Sequence, residues 1–149
     1  MRPLQEGWED PVDVPGPTVA RERRRDPMEP VRVAVADDDE GVRRALGALL
    51  RSRDGVELVG EAGDAEGIVA LVTEHRPDVV VLDVRMPGGG AVAAQRIREL
   101  APSTRLIALS AHDTRVHRRQ MAAAGVDAYL VKGEVSSQLW AVLTEVMGR

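Results

Sequence analysis

The stretch DVVVLD, residues 78–83, decides the fold class. Its apolar run is unbroken, without the alternation expected of a strand that has one face in water. Such a run is typical of a central strand in a parallel sheet, covered on both faces. The run ends in Asp83, which predicts a carboxylate at the carboxyl edge of that sheet.

Similar units lie on both sides of this stretch. Five strands are predicted at residues 31–36, 56–62, 78–83, 104–110 and 127–132. Five helices are predicted at residues 41–52, 65–75, 91–100, 114–125 and 135–148. This alternation indicates an α/β protein with a doubly wound parallel sheet, whose site lies at the carboxyl ends of the strands.

Apolar spacing also predicts which helical residues face the core. In the first helix these are Val42, Ala45, Leu46 and Leu49, and in the last helix they are Val135, Leu139, Val142 and Val146.

The composition favours one compact domain in a reducing compartment. The 149 residues are 44% apolar, carry a net charge of −4 and include no cysteine. A net negative charge supplies no electrostatic reason to bind nucleic acid. No apolar run reaches the roughly 18 residues that a membrane span requires. We therefore expect a cytoplasmic protein without membrane association.

Residues 1–30 differ from the rest in composition. Repeated prolines and mixed charges without periodicity predict a disordered leader, followed by one ordered domain at residues 31–148. Because the sequence stops soon after the last predicted helix, we expect no output domain and no direct DNA binding.

Chemistry-bearing residues follow four of the predicted strands. They are Asp37 and Asp38 after the first, Asp83 after the third, Ser110 after the fourth and Lys132 after the fifth. If the first and third strands are neighbours, the three carboxylates converge and need a cation between them. A carboxylate-rich oxygen pocket suits Mg²⁺, and a carboxylate beside that metal can form an acyl phosphate. The alternative is that acids here cap the first helix, which we prefer for Asp39.

Lys132 is the only lysine among 20 basic residues. A compact ammonium on a flexible stem can enter an acidic pocket where a planar guanidinium is too wide. Retention of one lysine by chance is the alternative.

Four segments resemble signatures of the response regulator receiver domain, the chemotaxis-regulator-like phosphoacceptor of two-component signalling. They are VAVADDDEGVRRAL, VVVLDVRMPGGG, ALSAHD and AYLVKG. The resemblance covers about residues 31–148. It implies a flavodoxin-like (CheY-like) (βα)5 fold with strand order 2-1-3-4-5. Many members have proline at the position of Gly133. The absence of that proline resembles the NarL/LuxR-like branch, which also lacks it.

The resemblance also implies roles for individual residues. Asp83 would accept phosphate from a histidine kinase or a phosphotransfer protein, with Mg²⁺ held by Asp37, Asp38, Asp83 and the backbone carbonyl of Arg85. Ser110 and Lys132 would bind the phosphoryl group, and Tyr129 would be an aromatic switch. Arg85, Ala111 and His112 are candidates for tuning the lifetime of the phosphate. The glycines at 88–90 predict an unusually soft loop after Asp83.

The function expected from these residues is that of a stand-alone response regulator. It would signal through its fourth helix, fifth strand and fifth helix to a protein partner or in a phosphorelay, with a homodimer as another use of this surface. It would not be an enzyme beyond its own phosphotransfer and autodephosphorylation. The alternative is a phosphorylation-independent pseudo-receiver that acts as an interaction module. An aspartate-nucleophile phosphatase is disfavoured, because Arg85 stands where such enzymes carry a second acid.

Overall fold

The computed structural model describes residues 29–148. The strands are β1 (Val31–Ala36), β2 (Val56–Ala62), β3 (Val79–Asp83), β4 (Arg105–Ser110) and β5 (Ala128–Val131). The helices are α1 (Glu40–Arg51), α2 (Ala65–His75), α3 (Gly90–Leu100), α4 (Arg115–Ala123) and α5 (Val135–Met147). The strands form one parallel sheet in the order β2-β1-β3-β4-β5. The predicted fold class and strand order are confirmed.

The strand β3 is the centre of the sheet, as its apolar run predicts. It pairs with β1 on one side and β4 on the other, and its residues from Val79 to Leu82 are fully buried. Successive side chains enter two separate cores, as the alternation of a strand requires. Val80 and Leu82 pack in the core beneath α2 and α3, whereas Val79 and Val81 pack in the core beneath α1 and α5.

Two helices bury somewhat different faces from those predicted. In α1 the buried residues are Leu46, Gly47 and Leu50, and Ala45 is exposed. A Cβ at Gly47 would lie 3.3 Å from Leu58 Cδ2, so the lack of a side chain allows α1 to pack closely on β2 at this position. In α5 the buried residues are Leu139, Leu143 and Val146, and Val142 is half-buried.

The fifth strand is shorter than predicted. It ends at Val131, and Lys132 begins a single 3-10 turn, Lys132–Glu134, that leads into α5. Lys132 therefore leaves the sheet in a turn rather than on a strand.

The predicted leader lies outside the described residues, apart from Glu29 and Pro30. Among residues 29–148, no helix is both long and apolar enough to cross a bilayer. The cytoplasmic location stays a prediction.

Candidate functional site

Three aspartates meet at the carboxyl edge of the sheet. Asp37 follows β1 and Asp83 ends β3, and since these strands are neighbours their carboxylates face the same edge. One oxygen from each of Asp37, Asp38 and Asp83 lies within 4.8 Å of the others. Asp37 is fully buried and Asp83 is 3% exposed, whereas Asp38 is exposed. The predicted acidic cluster is present.

The third acid of the run, Asp39, caps α1. Its Oδ1 accepts hydrogen bonds from Gly41 N at 2.8 Å and Val42 N at 3.2 Å. Its own N–H donates to Asp37 Oδ1 at 2.9 Å, which holds that carboxylate from one side. The preferred interpretation of Asp39 as a helix cap is confirmed, because its side chain accepts hydrogen bonds from the free N–H groups of the first turn.

Lys132 supplies the positive charge that the cluster requires. Its Nζ lies 2.9 Å from Asp37 Oδ2 and 3.4 Å from Asp83 Oδ2. The approach to Asp37 Oδ2 lacks hydrogen-bond geometry, so this buried oxygen is paired by charge but accepts no well-aligned hydrogen bond. An oxygen in that state can accept a metal ion.

The charges shift the pKa values of both partners. Burial raises the pKa of Asp83 to about 6, helped by the negative charge of Asp37 and opposed by the Arg85 N–H and by Lys132. Burial alone would lower the pKa of Lys132, but its close contacts and charge interactions with the carboxylates of Asp37 and Asp83 outweigh burial and raise that pKa. Lys132 is therefore a cation at neutral pH, while Asp83 is ionised at an energetic cost.

The loop after Asp83 forms a turn held by backbone hydrogen bonds. Arg85 N donates to Asp83 Oδ1 at 3.1 Å, and Gly90 N donates to Val84 O at 3.2 Å. Pro87 O accepts a 2.9 Å bond from Ala65 N at the start of α2. Gly88 and Gly89 have φ of +88°, which glycine adopts at low cost. These glycines permit one tight turn, and the softness expected of this loop stays a prediction.

Ser110 and Tyr129 share one hydrogen-bond acceptor. The Ser110 hydroxyl donates to the main-chain oxygen of His112 at 2.9 Å, and the Tyr129 hydroxyl donates to the same oxygen at 2.9 Å. The Arg118 guanidinium lies over the Tyr129 ring, 4.5 Å from its centroid, and is paired with Asp113. The two predicted switch residues are thus connected through the β4–α4 loop.

A cavity of about 250 Å³ opens over the cluster. It is lined by Asp38, Asp39, Asp83, Arg85, Ser110, Ala111, His112 and Lys132. Two predicted site residues, Asp37 and Tyr129, do not line the cavity, but each contacts a lining residue: Asp37 pairs with Lys132, and Tyr129 donates to the main-chain oxygen of His112. The structure therefore brings the predicted set together around Asp83.

Two residues with direct contacts to this set were missed from the sequence. Arg43 donates a 2.6 Å hydrogen bond to the main-chain oxygen of Asp37, and Arg118 stacks on Tyr129. The only sequence signal for Arg43 is its position one helical turn after the cap Asp39.

Comparison with known proteins agrees with this geometry. The family model described as "Response regulator receiver domain" matches residues 33–144. The chain belongs to this family. The receiver domain resembles the transcriptional regulatory protein PdtaR of Mycobacterium tuberculosis, with 42% identity over 69% of this chain and 50% of that protein. It also resembles the probable transcriptional regulatory protein NarL of M. tuberculosis, with 37% identity over 81% of this chain and 57% of that protein.

A solved receiver domain has the same architecture. The signal receiver domain of the putative response regulator NarL from M. tuberculosis matches with a TM-score of 0.75 and 38% identity, covering 81% of this chain and 99% of that one. The resemblance to NarL/LuxR-type receivers is confirmed. Receiver domains generally bind Mg²⁺ at an acidic pocket, and this domain has a cluster of three aspartates at the carboxyl edge of its sheet.

These relatives correct the prediction about partners. The receiver domain spans about half the length of PdtaR and NarL, and both are named as transcriptional regulators. The prediction that direct DNA binding can be excluded is wrong, because it rested on the charge and length of a sequence that corresponds to half of such regulators.

Proposed function

We propose that this receiver domain accepts a phosphoryl group on Asp83 from the phosphohistidine of a histidine kinase. The observation that carries the proposal is the setting of Asp83. Its carboxylate is nearly buried at the base of a cavity that opens to solvent, with two further acids and one lysine around it. A nucleophile in such a site can meet a phosphoryl donor that arrives from outside.

The transfer forms a bond between phosphorus and a carboxylate oxygen of Asp83, and it breaks the phosphorus–nitrogen bond of the donor. The departing imidazole takes up a proton from solvent. When bound, Mg²⁺ would neutralise negative charge on the phosphoryl oxygens. Asp37, Asp38, Asp83 and the backbone carbonyl of Arg85 would hold the ion, and the poorly bonded Asp37 Oδ2 supports this assignment.

Phosphorylation would then change the hydrogen bonds of the switch residues. A phosphoryl group adds about 1.5 to 2 negative charges and strong acceptor oxygens beside Ser110 and Lys132. If Ser110 donates to the phosphoryl group, it leaves the His112 carbonyl that it shares with Tyr129. The β4–α4 loop and Tyr129 would rearrange, and the face formed by α4, β5 and α5 would carry the signal to a protein surface.

The proposed activity is phosphotransfer to the domain itself and its autodephosphorylation, without turnover of another substrate. Arg85, Ala111 and His112 line the cavity mouth and would set how readily water reaches the phosphoryl group.

Incubation with acetyl phosphate and Mg²⁺ tests the proposal directly. Intact-mass spectrometry should show a gain of one phosphoryl group, which is absent in Asp83→Asn because the amide is not a nucleophile. Asp54→Asn, which removes an exposed acid from a distant turn, is the matched control and should gain the group normally. No gain in the wild-type chain, either from acetyl phosphate or from a cognate kinase, would favour the pseudo-receiver alternative.

Arg118→Ala should make the switch easier to operate. A cation above an exposed aromatic ring contributes about 0.5–1 kcal/mol, so its removal should shift the Tyr129 equilibrium about two- to five-fold. Tyr129 is the only tyrosine, so ¹⁹F NMR of fluorotyrosine-labelled protein reports on this ring alone. Its resonance in Arg118→Ala should move toward the position found in the phosphorylated wild type.

Arg119→Ala is the control for that measurement, because it removes the same charge from the next residue of α4. Equal movement of the resonance in both variants would show that charge, rather than the stacking contact, holds Tyr129.

A further inference from the structure

Arg43 is a partly buried arginine of α1 that has no role in the proposed phosphotransfer. Its Nη1 donates a 2.6 Å hydrogen bond to the main-chain oxygen of Asp37, and its Nε lies 3.5 Å from Glu61 Oε1 on β2. Its own N–H donates to Asp39 O at 3.1 Å in the first turn of the helix. The side chain is only 21% exposed. Arg43 is therefore held at both ends, with its guanidinium against the end of β1.

The oxygen that Arg43 holds belongs to the peptide unit between Asp37 and Asp38. A peptide unit is planar, so a hydrogen bond to its oxygen limits the rotation of that plane and thereby the direction in which the chain leaves Asp37. The Asp37 carboxylate is held separately by the Asp39 N–H. Asp38 is exposed at the rim, so its place depends on the backbone that precedes it. The contact of Arg43 thus sets the two acids relative to each other.

We propose that Arg43 is a positioning residue for the divalent cation. By holding the Asp37 carbonyl, it keeps the carboxylates of Asp37 and Asp38 in the arrangement that binds Mg²⁺. Arg43 is not a ligand, since a guanidinium has no lone pair to offer. This inference rests on the proposed function, because it requires Mg²⁺ to bind at Asp37, Asp38 and Asp83.

Charge and positioning predict opposite effects of removing Arg43. An arginine near a cation site repels the cation, so loss of its charge alone would strengthen Mg²⁺ binding. Loss of a contact that orients metal ligands weakens binding, typically by 10- to 100-fold. The sign of the change therefore separates the two roles.

The test is an Mg²⁺ titration of the full chain, monitored through the amide NMR signals of residues 37–39 and 83–85. Arg43→Met should bind Mg²⁺ about ten-fold more weakly than the wild type. Arg44→Met is the matched control. It removes the same charge from the next residue, which is exposed and pairs with Glu40 at 2.9 Å, and it should bind as well as the wild type or slightly better. Binding by Arg43→Met that equals or exceeds wild-type binding overturns the proposal.

Arg43→Lys keeps the test decisive if the methionine variant does not fold. Lysine retains the charge, but a single ammonium cannot reproduce the fork that reaches both the Asp37 carbonyl and Glu61. We expect an intermediate loss of Mg²⁺ affinity, and unchanged affinity overturns the positioning role. A wild-type chain that binds no Mg²⁺ refutes the cation site of the proposed function itself. If the wild type binds Mg²⁺ and Arg43→Met binds it with the same affinity, only the role of Arg43 is refuted.

Discussion

Gly90→Ala should lower the free energy of unfolding by about 3 kcal/mol, at the upper end of what overpacking costs. A Cβ at Gly90 would lie 2.2 Å from Asp83 O, 2.8 Å from Val84 O and 2.9 Å from Val84 Cα. All three are backbone atoms of Asp83 and Val84, so none can rotate aside as the end of a side chain would. Urea denaturation followed by far-UV circular dichroism measures the loss. Because the main chain at Asp83 must shift to relieve the contact, phosphorylation by acetyl phosphate should also slow.

Gly133→Ala is the control for that variant. Gly133 lies in the 3-10 turn, its added Cβ would meet nothing within 4 Å, and its φ is not positive. Its stability should stay within about 0.5 kcal/mol of the wild type, since alanine reduces the entropy of the unfolded chain at no steric cost. Equal stabilities of Gly90→Ala and the wild type would mean that the loop can yield.

Asp83→Asn should stabilise the metal-free protein at neutral pH. The pKa of Asp83 is raised from 3.8 to about 6, with burial as the main cause. The folded state therefore holds this proton more tightly than the unfolded chain, and stability falls as the pH rises from about 4 through 6. The difference corresponds to about 3 kcal/mol, and screening by water in the open cavity reduces the expected gain of the variant to about 2 kcal/mol.

Thermal or urea unfolding in EDTA at pH 5 and pH 7.5 checks this prediction. The advantage of Asp83→Asn should be smaller at pH 5, where the wild-type carboxyl is largely protonated. Added Mg²⁺ should stabilise the wild type more than the variant, because the variant lacks one of the carboxylates proposed to hold the ion. A stability difference that does not change with pH would show that ionisation of Asp83 is not its source.

The main features of the fold were predictable from local patterns. The unbroken apolar run before Asp83 indicated the central strand, and it is fully buried with helices on both sides. The details of packing were less predictable, because helical periodicity gives the direction of a face only approximately. In α1 the buried face includes Gly47, which a count of apolar side chains ignores, and excludes Ala45.

In the candidate site, too, some features could be predicted from the sequence and others could not. The acids Asp37 and Asp83 could be paired in advance, because parallel strands that are neighbours in a sheet end at the same edge. The reason for the glycines after Asp83 could not be predicted. Composition indicates only flexibility, and the close approach of backbone atoms to Gly90 is visible only in the structure. Gly90 is required by a backbone oxygen seven residues earlier in the chain.

The sequence by itself determined the order of strands and helices, the position of the acids at strand ends and the singular status of Lys132. These depend on neighbours along the chain and on rules that hold for every parallel sheet. Only the tertiary structure decided that Arg43 holds the Asp37 carbonyl, that Arg118 covers Tyr129, and that Ser110 and Tyr129 share the His112 carbonyl. The physical reason is that an arginine reaches several ångströms from its Cα, and which oxygen or ring it meets is set by packing between elements.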